Sequence, residues 1–174
     1  NVLIENCYIH HVNVDYYDDY YSSGDGIQAH NTRNVRIFNT IIDRSHTGNK
    51  FCIIATEHNT NWVIEDCYFS GPILSDGRGA ALHIGTDSIK VRRSVFEYCP
   101  AGIYNVVPNL EVTNSLFVEN DAGIIVGDGK NARILHCTFY NNQTAVWSGT
   151  NDFRNNILFL NDNSDSGIDG NFSE

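Results

Sequence analysis

A six-residue phrase recurs along this chain and limits the folds open to it: an apolar residue, two variable ones, a small one, one variable and a final apolar residue. It reads IENCYI from Ile4, IFNTII from Ile37, IEDCYF from Ile64, VRRSVF from Val91, VTNSLF from Val112, ILHCTF from Ile134 and, more loosely, FRNNIL from Phe153. The intervals between starting residues are 33, 27, 27, 21, 22 and 19, so a fixed unit carries an insertion of variable length. A second phrase precedes six of the seven: GIQA at Gly26, IIAT at Ile53, ALHI at Ala81, GIYN at Gly102, GIIV at Gly123 and AVWS at Ala145. Short runs with period-two alternation, β-branched and aromatic residues and Gly, Asn or Asp punctuation are strands. No segment carries the i, i+3, i+4, i+7 spacing of a sizeable amphipathic helix. Strands of this size cannot bury a face alone and become stable when successive coils stack, which is a solenoid.

These phrases resemble the right-handed parallel β-helix repeat of pectate-lyase-like proteins, over essentially the whole chain. The resemblance implies an all-β fold, a right-handed single-stranded parallel β-helix of about seven coils. Residues 1–174 then form one domain, with 161–174 as a last partial coil or cap. In that family the GI phrase is the first strand, the start of the six-residue phrase lies on the second, and a third strand leads to a variable loop. The family often stacks asparagines at the fourth residue of the phrase. Here that residue is Cys7, Thr40, Cys67, Ser94, Ser115, Cys137 and only finally Asn156, so no asparagine ladder is expected there. Many activities sit on this scaffold, so fold alone does not name the chemistry.

The balance of 11 Lys plus Arg against 21 Asp plus Glu, a net charge of -10, disfavours nucleic acid and anionic membranes as main partners. An anionic polysaccharide stays open if basic residues cluster. No run approaches the length of a membrane span, and no basic, apolar leader precedes the first strand. The chain starts inside a strand pattern and has no Met. It is therefore read as a mature product or a piece of a longer β-helix, in an extracellular or cell-surface setting. Five cysteines, Cys7, Cys52, Cys67, Cys99 and Cys137, are odd in number, widely spaced and without a CxxC pair, and are expected as free buried thiols. Sequons stand at Asn142-Gln143-Thr144 and Asn171-Phe172-Ser173.

The insertions fall between the third strand and the next first strand, at about His10 to Gly24, Asp43 to Lys50 and Ser70 to Gly79. In lyases of the resembling family, comparable loops border a carbohydrate cleft on the first-strand face. With Ile27, Ile54, Leu82, Ile103, Ile124 and Val146 taken as inward, the outward neighbours are Gln28, Ala55, His83, Tyr104, Ile125 and Trp147. A further outward step gives His30, Glu57 and Gly85. Tyr104 and Trp147 suit stacking on sugar faces, or packing against a neighbouring domain.

Lys50 and Arg78 each stand four residues before the inward residue assigned to their coil. As neighbours, mutual repulsion would favour the neutral lysine, which could remove the proton α to a uronate carboxylate held by the arginine. His83 or Tyr104 could then protonate the leaving oxygen. That is the logic of a polysaccharide lyase. Paired carboxylates drawn from Asp25, Glu57, Asp76, Asp18 and Asp19 offer hydrolysis instead. A non-catalytic glycan-binding or structural segment, as in a tailspike or adhesin, is the third reading. The run Asp15 to Asp25 holds four aspartates and four tyrosines. Tyr20 and Tyr21 suit a sugar-facing wall, and Asp18, Asp19 and Asp25 suit calcium, the cation that hard oxygen ligands favour.

Overall fold

The computed structural model describes residues 1–10, 25–43, 51–71, 79–106, 108–127, 130–147 and 150–162, and within these all side chains except those of residues 56–58, 86, 150 and 151. Among the described residues the fold is an all-β parallel solenoid with no helix. Each coil contributes strands to three faces. The first face holds β3 (Ile27–Ala29), the N-terminal parts of β6 (Phe51–Glu65) and β8 (Ala80–Arg92), β10 (Ala101–Asn105), β13 (Ala122–Val126) and β16 (Thr144–Trp147). The second holds β1 (Val2–Glu5), β4 (Arg33–Phe38), the C-terminal parts of β6 and β8, β11 (Leu110–Thr113), β14 (Asn131–Leu135) and β17 (Thr150–Arg154). Because β6 and β8 run unbroken round the corner where two separate strands were expected, these two faces form one 11-stranded sheet.

The third face is a seven-stranded parallel sheet: β2 (Tyr8–His10), β5 (Ile41–Asp43), β7 (Tyr68–Ser70), β9 (Val95–Glu97), β12 (Leu116–Val118), β15 (Thr138–Tyr140) and β18 (Ile157–Phe159). Each strand comes from one occurrence of the six-residue phrase. The first residue of the phrase is inward on the second face, where Ile37, Ile64, Val91, Val112 and Ile134 are fully buried. The last residue is inward on the third face, where Phe69, Phe96, Phe117 and Phe139 stack with centroids 4.9, 4.9 and 4.8 Å apart. The spacing of parallel strands sets this distance, so one ring per coil builds a continuous stack.

The third residue of the phrase makes the turn between these strands. Asn6, Asn39, Asp66, Arg93, Asn114, His136 and Asn155 all adopt positive φ, from 44 to 57°, a region that Asn and Asp tolerate best among residues with a side chain. The fourth residue then points inward and bonds the chain two residues back. The Ser94 and Ser115 hydroxyls donate to the Arg92 and Thr113 carbonyls at 2.9 and 3.0 Å, and the Cys67 thiol donates to Glu65 at 3.2 Å. Their oxygens also accept from the preceding coil: the Cys67 amide donates to Ser94 Oγ and the Ser94 amide to Ser115 Oγ, both at 3.2 Å. Hydroxyls and thiols thus do at this corner what an amide ladder would do.

An asparagine ladder does exist, at the next corner. Asn120, Asn142 and Asn161 are buried. The Asn120 and Asn142 side-chain amides donate to the Asn142 and Asn161 oxygens at 2.9 and 3.0 Å, and each of the three also donates to the carbonyl of Phe96, Phe117 or Phe139. The first sequon falls on this ladder: Asn142 is 1% exposed and its amide is spent inside the ladder, so the folded chain offers no acceptor there. Asn171 lies outside the described residues. All five cysteines are free and all but Cys7 are buried.

Charge gathers on the outer side of the second face. Arg36, Lys90, Arg92, Arg93, Arg133 and Arg154 stand on or beside it, and Arg33 is exposed at the start of β4. Arg93 bridges Glu65 and Asp66 at 2.7 Å each, Arg36 meets Glu65 at 3.2 Å, and Arg154 meets Asp152 at 2.6 Å. The Arg36 and Arg93 pairs link adjacent coils, while Arg154 and Asp152 pair within β17; solvent screens surface ion pairs of this kind, so each adds little to stability.

Candidate functional site

The first face is built by a small residue followed by an inward apolar one. At Gly102 a Cβ would stand 2.6 Å from the Gly123 carbonyl oxygen and 2.8 Å from Phe117 Cδ1, so the Phe stack and the next strand leave room for a hydrogen only. The register aligns Ile27, Ile53, Leu82, Ile103, Ile124 and Val146 as inward neighbours. The assignment of Ile54 as inward is therefore corrected to Ile53, which is 2% exposed, and Ala55 is buried rather than outward. Two adjacent isoleucines made the sequence ambiguous. The small residue of that coil is Cys52, which the sequence phrase starting at Ile53 passed over.

The outward row of this face is consequently Gln28, Ile54, His83, Tyr104, Ile125 and Trp147, each in register with the next. Five steps of about 4.8 Å give a strip about 24 Å long. Gln28 and Trp147 are exposed, and Ile54, His83, Tyr104 and Ile125 are half-buried. Beneath the strip, Ala80, Ala101 and Ala122 pack with Phe51, Tyr104 and Ile125 as a cluster separate from the main core. Phe51, a residue the sequence reading did not single out, approaches His83 edge-on with centroids 5.0 Å apart, and Tyr104 does so from the other side at 5.1 Å. Burial lowers the His83 pKa below the ordinary histidine value, so the ring is neutral at neutral pH. Its Nδ1 is buried with no hydrogen-bond partner among the described residues.

The structure thus brings His83, Tyr104 and Trp147 together on one row, with Gln28 at its far end. His30 is exposed at the end of β3, where the chain turns through Asn31 at φ 54°. Glu57 falls where the β6–β8 register shifts between Ala55 and Asn59, and its side chain is not among those described. Asp25 directly precedes Gly26 at the entry to the first face. Lys50, Arg78, Tyr20, Tyr21, Asp18, Asp19 and Asp76 lie outside the described residues. The corrected register pairs Phe51 with Ala80; Lys50 then stands three residues before its inward Ile53, and Arg78 four before Leu82, so the count that made them equivalent shifts by one.

Among the described residues no group of three or more His, Cys, Asp or Glu converges as a metal site. The Cys67, Cys99 and Cys137 thiols are unsuited to nucleophilic work, because burial pushes Cys67 and Cys99 up and lifts Cys137 to about 11. A second polar row, His10, Asp43, Ser70 and Glu97, runs in register along the third face. There the Tyr68 hydroxyl donates to Glu97, and burial followed by that carboxylate raises the phenol pKa, so Tyr68 latches two coils in its neutral form.

Neither the comparison with curated proteins nor that with solved structures returned a match. Residues 1–171 match the family model described as a right handed beta helix region, and the chain belongs to that family.

Proposed function

We propose that this chain is a carbohydrate-active β-helix protein of the pectate-lyase-like kind, which holds a polysaccharide lengthwise on its first face and cleaves a uronate-containing polymer by β-elimination. The observation that carries the reading is the row itself. Two aromatic side chains, Tyr104 and Trp147, stand two coils apart in register, and a neutral His83 adjoins Tyr104. Aromatic faces complement the C–H faces of sugars, and a polar group among them fixes orientation. In the elimination, Arg78 holds the uronate carboxylate, Lys50 takes the C5 proton as the C4–C5 double bond forms, and the oxygen that departs as the C4–O4 bond breaks is met by His83 or Tyr104 and takes up a proton from that side chain or from solvent. Asp18, Asp19 and Asp25 are the proposed calcium ligands, with Tyr20, Tyr21, Gln28, His30 and Glu57 bordering the polymer. An extracellular or cell-surface location accords with a polymeric substrate.

Incubation with a panel of uronate polysaccharides, polygalacturonate and alginate among them, while following absorbance for unsaturated ends, tests the chemistry. Growth of absorbance that is lost in Lys50→Ala and Arg78→Ala is expected. No absorbance change on any of them, with glycan binding retained, sinks the lyase and leaves non-catalytic binding. One observation favours that second reading: the described outward row, Gln28, Ile54, His83, Tyr104, Ile125 and Trp147, carries no charge, and the cations gather on another face.

A further inference from the structure

His83 is the one member of the outward row with a polar atom buried and without a partner among the described residues. The atom is Nδ1, so the exposed edge of this half-buried ring presents Nε2. A neutral imidazole carries one proton, and its place is set by what each nitrogen meets. A proton on Nδ1 would be an orphaned buried N–H, which folded proteins rarely tolerate, whereas an idle lone pair there costs less. Nothing described beside the ring argues for a second proton. Its neighbours in the row are Ile54 and Tyr104, and Phe51 and Tyr104 face it edge-on at 5.0 and 5.1 Å with interplanar angles of 63 and 84°. The two aromatic rings also fix the direction in which Nε2 points.

We propose that His83 serves the first face as a neutral hydrogen-bond donor, offering Nε2–H to a sugar oxygen while Phe51 and Tyr104 hold the ring as positioning residues. This rests on the glycan reading for the identity of the acceptor, and it sharpens that reading. With Nδ1 unprotonated, the lone pair a general base needs is turned into the protein, so His83 cannot take the C5 proton in an elimination. It can hydrogen-bond the glycosidic oxygen as negative charge develops there, as neutral donors aimed at developing charge do. In a non-catalytic protein the same N–H selects a hydroxyl.

Two measurements on the full chain test this. Nitrogen-15 NMR of the histidine side chains at neutral pH, with His83 assigned by its loss in His83→Gln, is expected to show Nδ1 unprotonated and Nε2 protonated. A protonated Nδ1 overturns the proposal. Calorimetric titration with tetragalacturonate and with cellotetraose then compares three proteins. His83→Ala is expected to weaken binding of the preferred oligosaccharide about tenfold, while His83→Gln, which keeps an N–H donor, retains most of it. Equal loss in both variants overturns the donor role while leaving the glycan reading intact. Binding of neither oligosaccharide by the unaltered chain overturns the sugar acceptor together with the glycan reading, whatever the spectrum shows.

Discussion

His83 links burial to a pH response whose sign is fixed. Desolvation lowers its folded pKa below the ordinary histidine value, so the unfolded chain binds the proton first as pH falls. The contribution to stability is complete above the unfolded value near 6.5 and is lost as pH drops through it toward the folded one. Denaturation of the native chain and of His83→Gln, compared from about pH 8 to about pH 5, is expected to show the native chain losing stability relative to the variant on the acid side. Parallel curves would contradict the buried neutral ring. The histidine was visible in the sequence as an outward residue of its strand. Its tautomer was not, because that depends on which neighbours reach Nδ1, and Phe51 belongs to the preceding coil. The third residue of each phrase shows a similar limit: it looked variable, yet all seven examples share positive φ. Arg93 and His136 obscure a preference that the five Asn and Asp residues display.

At the scale of the element, strand periodicity was legible because inward apolar residues alternate over short runs, and the seven third strands fall where the phrase ends. Register within β6 was not, since Ile53 and Ile54 satisfy the same pattern and only the pairing of Ile53 with Ile27, and its burial, separates them. The asparagine ladder was missed for a different reason. Its residues stand three past the end of their phrases, at Asn120, Asn142 and Asn161, and only in the last three coils, outside the position where the resemblance directed attention. Asn142 receives two donors from Asn120 and gives bonds to Phe117, Tyr140 and Asn161. Asn142→Ala strands buried partners on both sides, and a loss of about 2 to 4 kcal/mol is expected in urea unfolding, above the cost of one bond because several are cut together. A loss under about 0.5 kcal/mol, the range of ordinary surface substitutions, would show that the ladder is incidental to stability.

The whole molecule segregates its duties by face. The interior is apolar and stacked, the outer second face holds ion pairs between coils, and the outer first face keeps an uncharged aromatic row. Solenoid stability is a sum of coil and interface terms, so each face can vary in surface chemistry while the core phrase stays constant. That is why the fold could be read from the phrase and the substrate could not. The two tryptophans separate the faces optically, since Trp62 is 1% exposed in the core and Trp147 is 61% exposed at the end of the row. Titration of polygalacturonate into the protein while following tryptophan emission tests most directly whether a polysaccharide lies on the first face. A saturable blue shift that disappears in Trp147→Phe is the result this account predicts; emission unchanged at saturating polymer, or a shift that survives in Trp147→Phe, would contradict it.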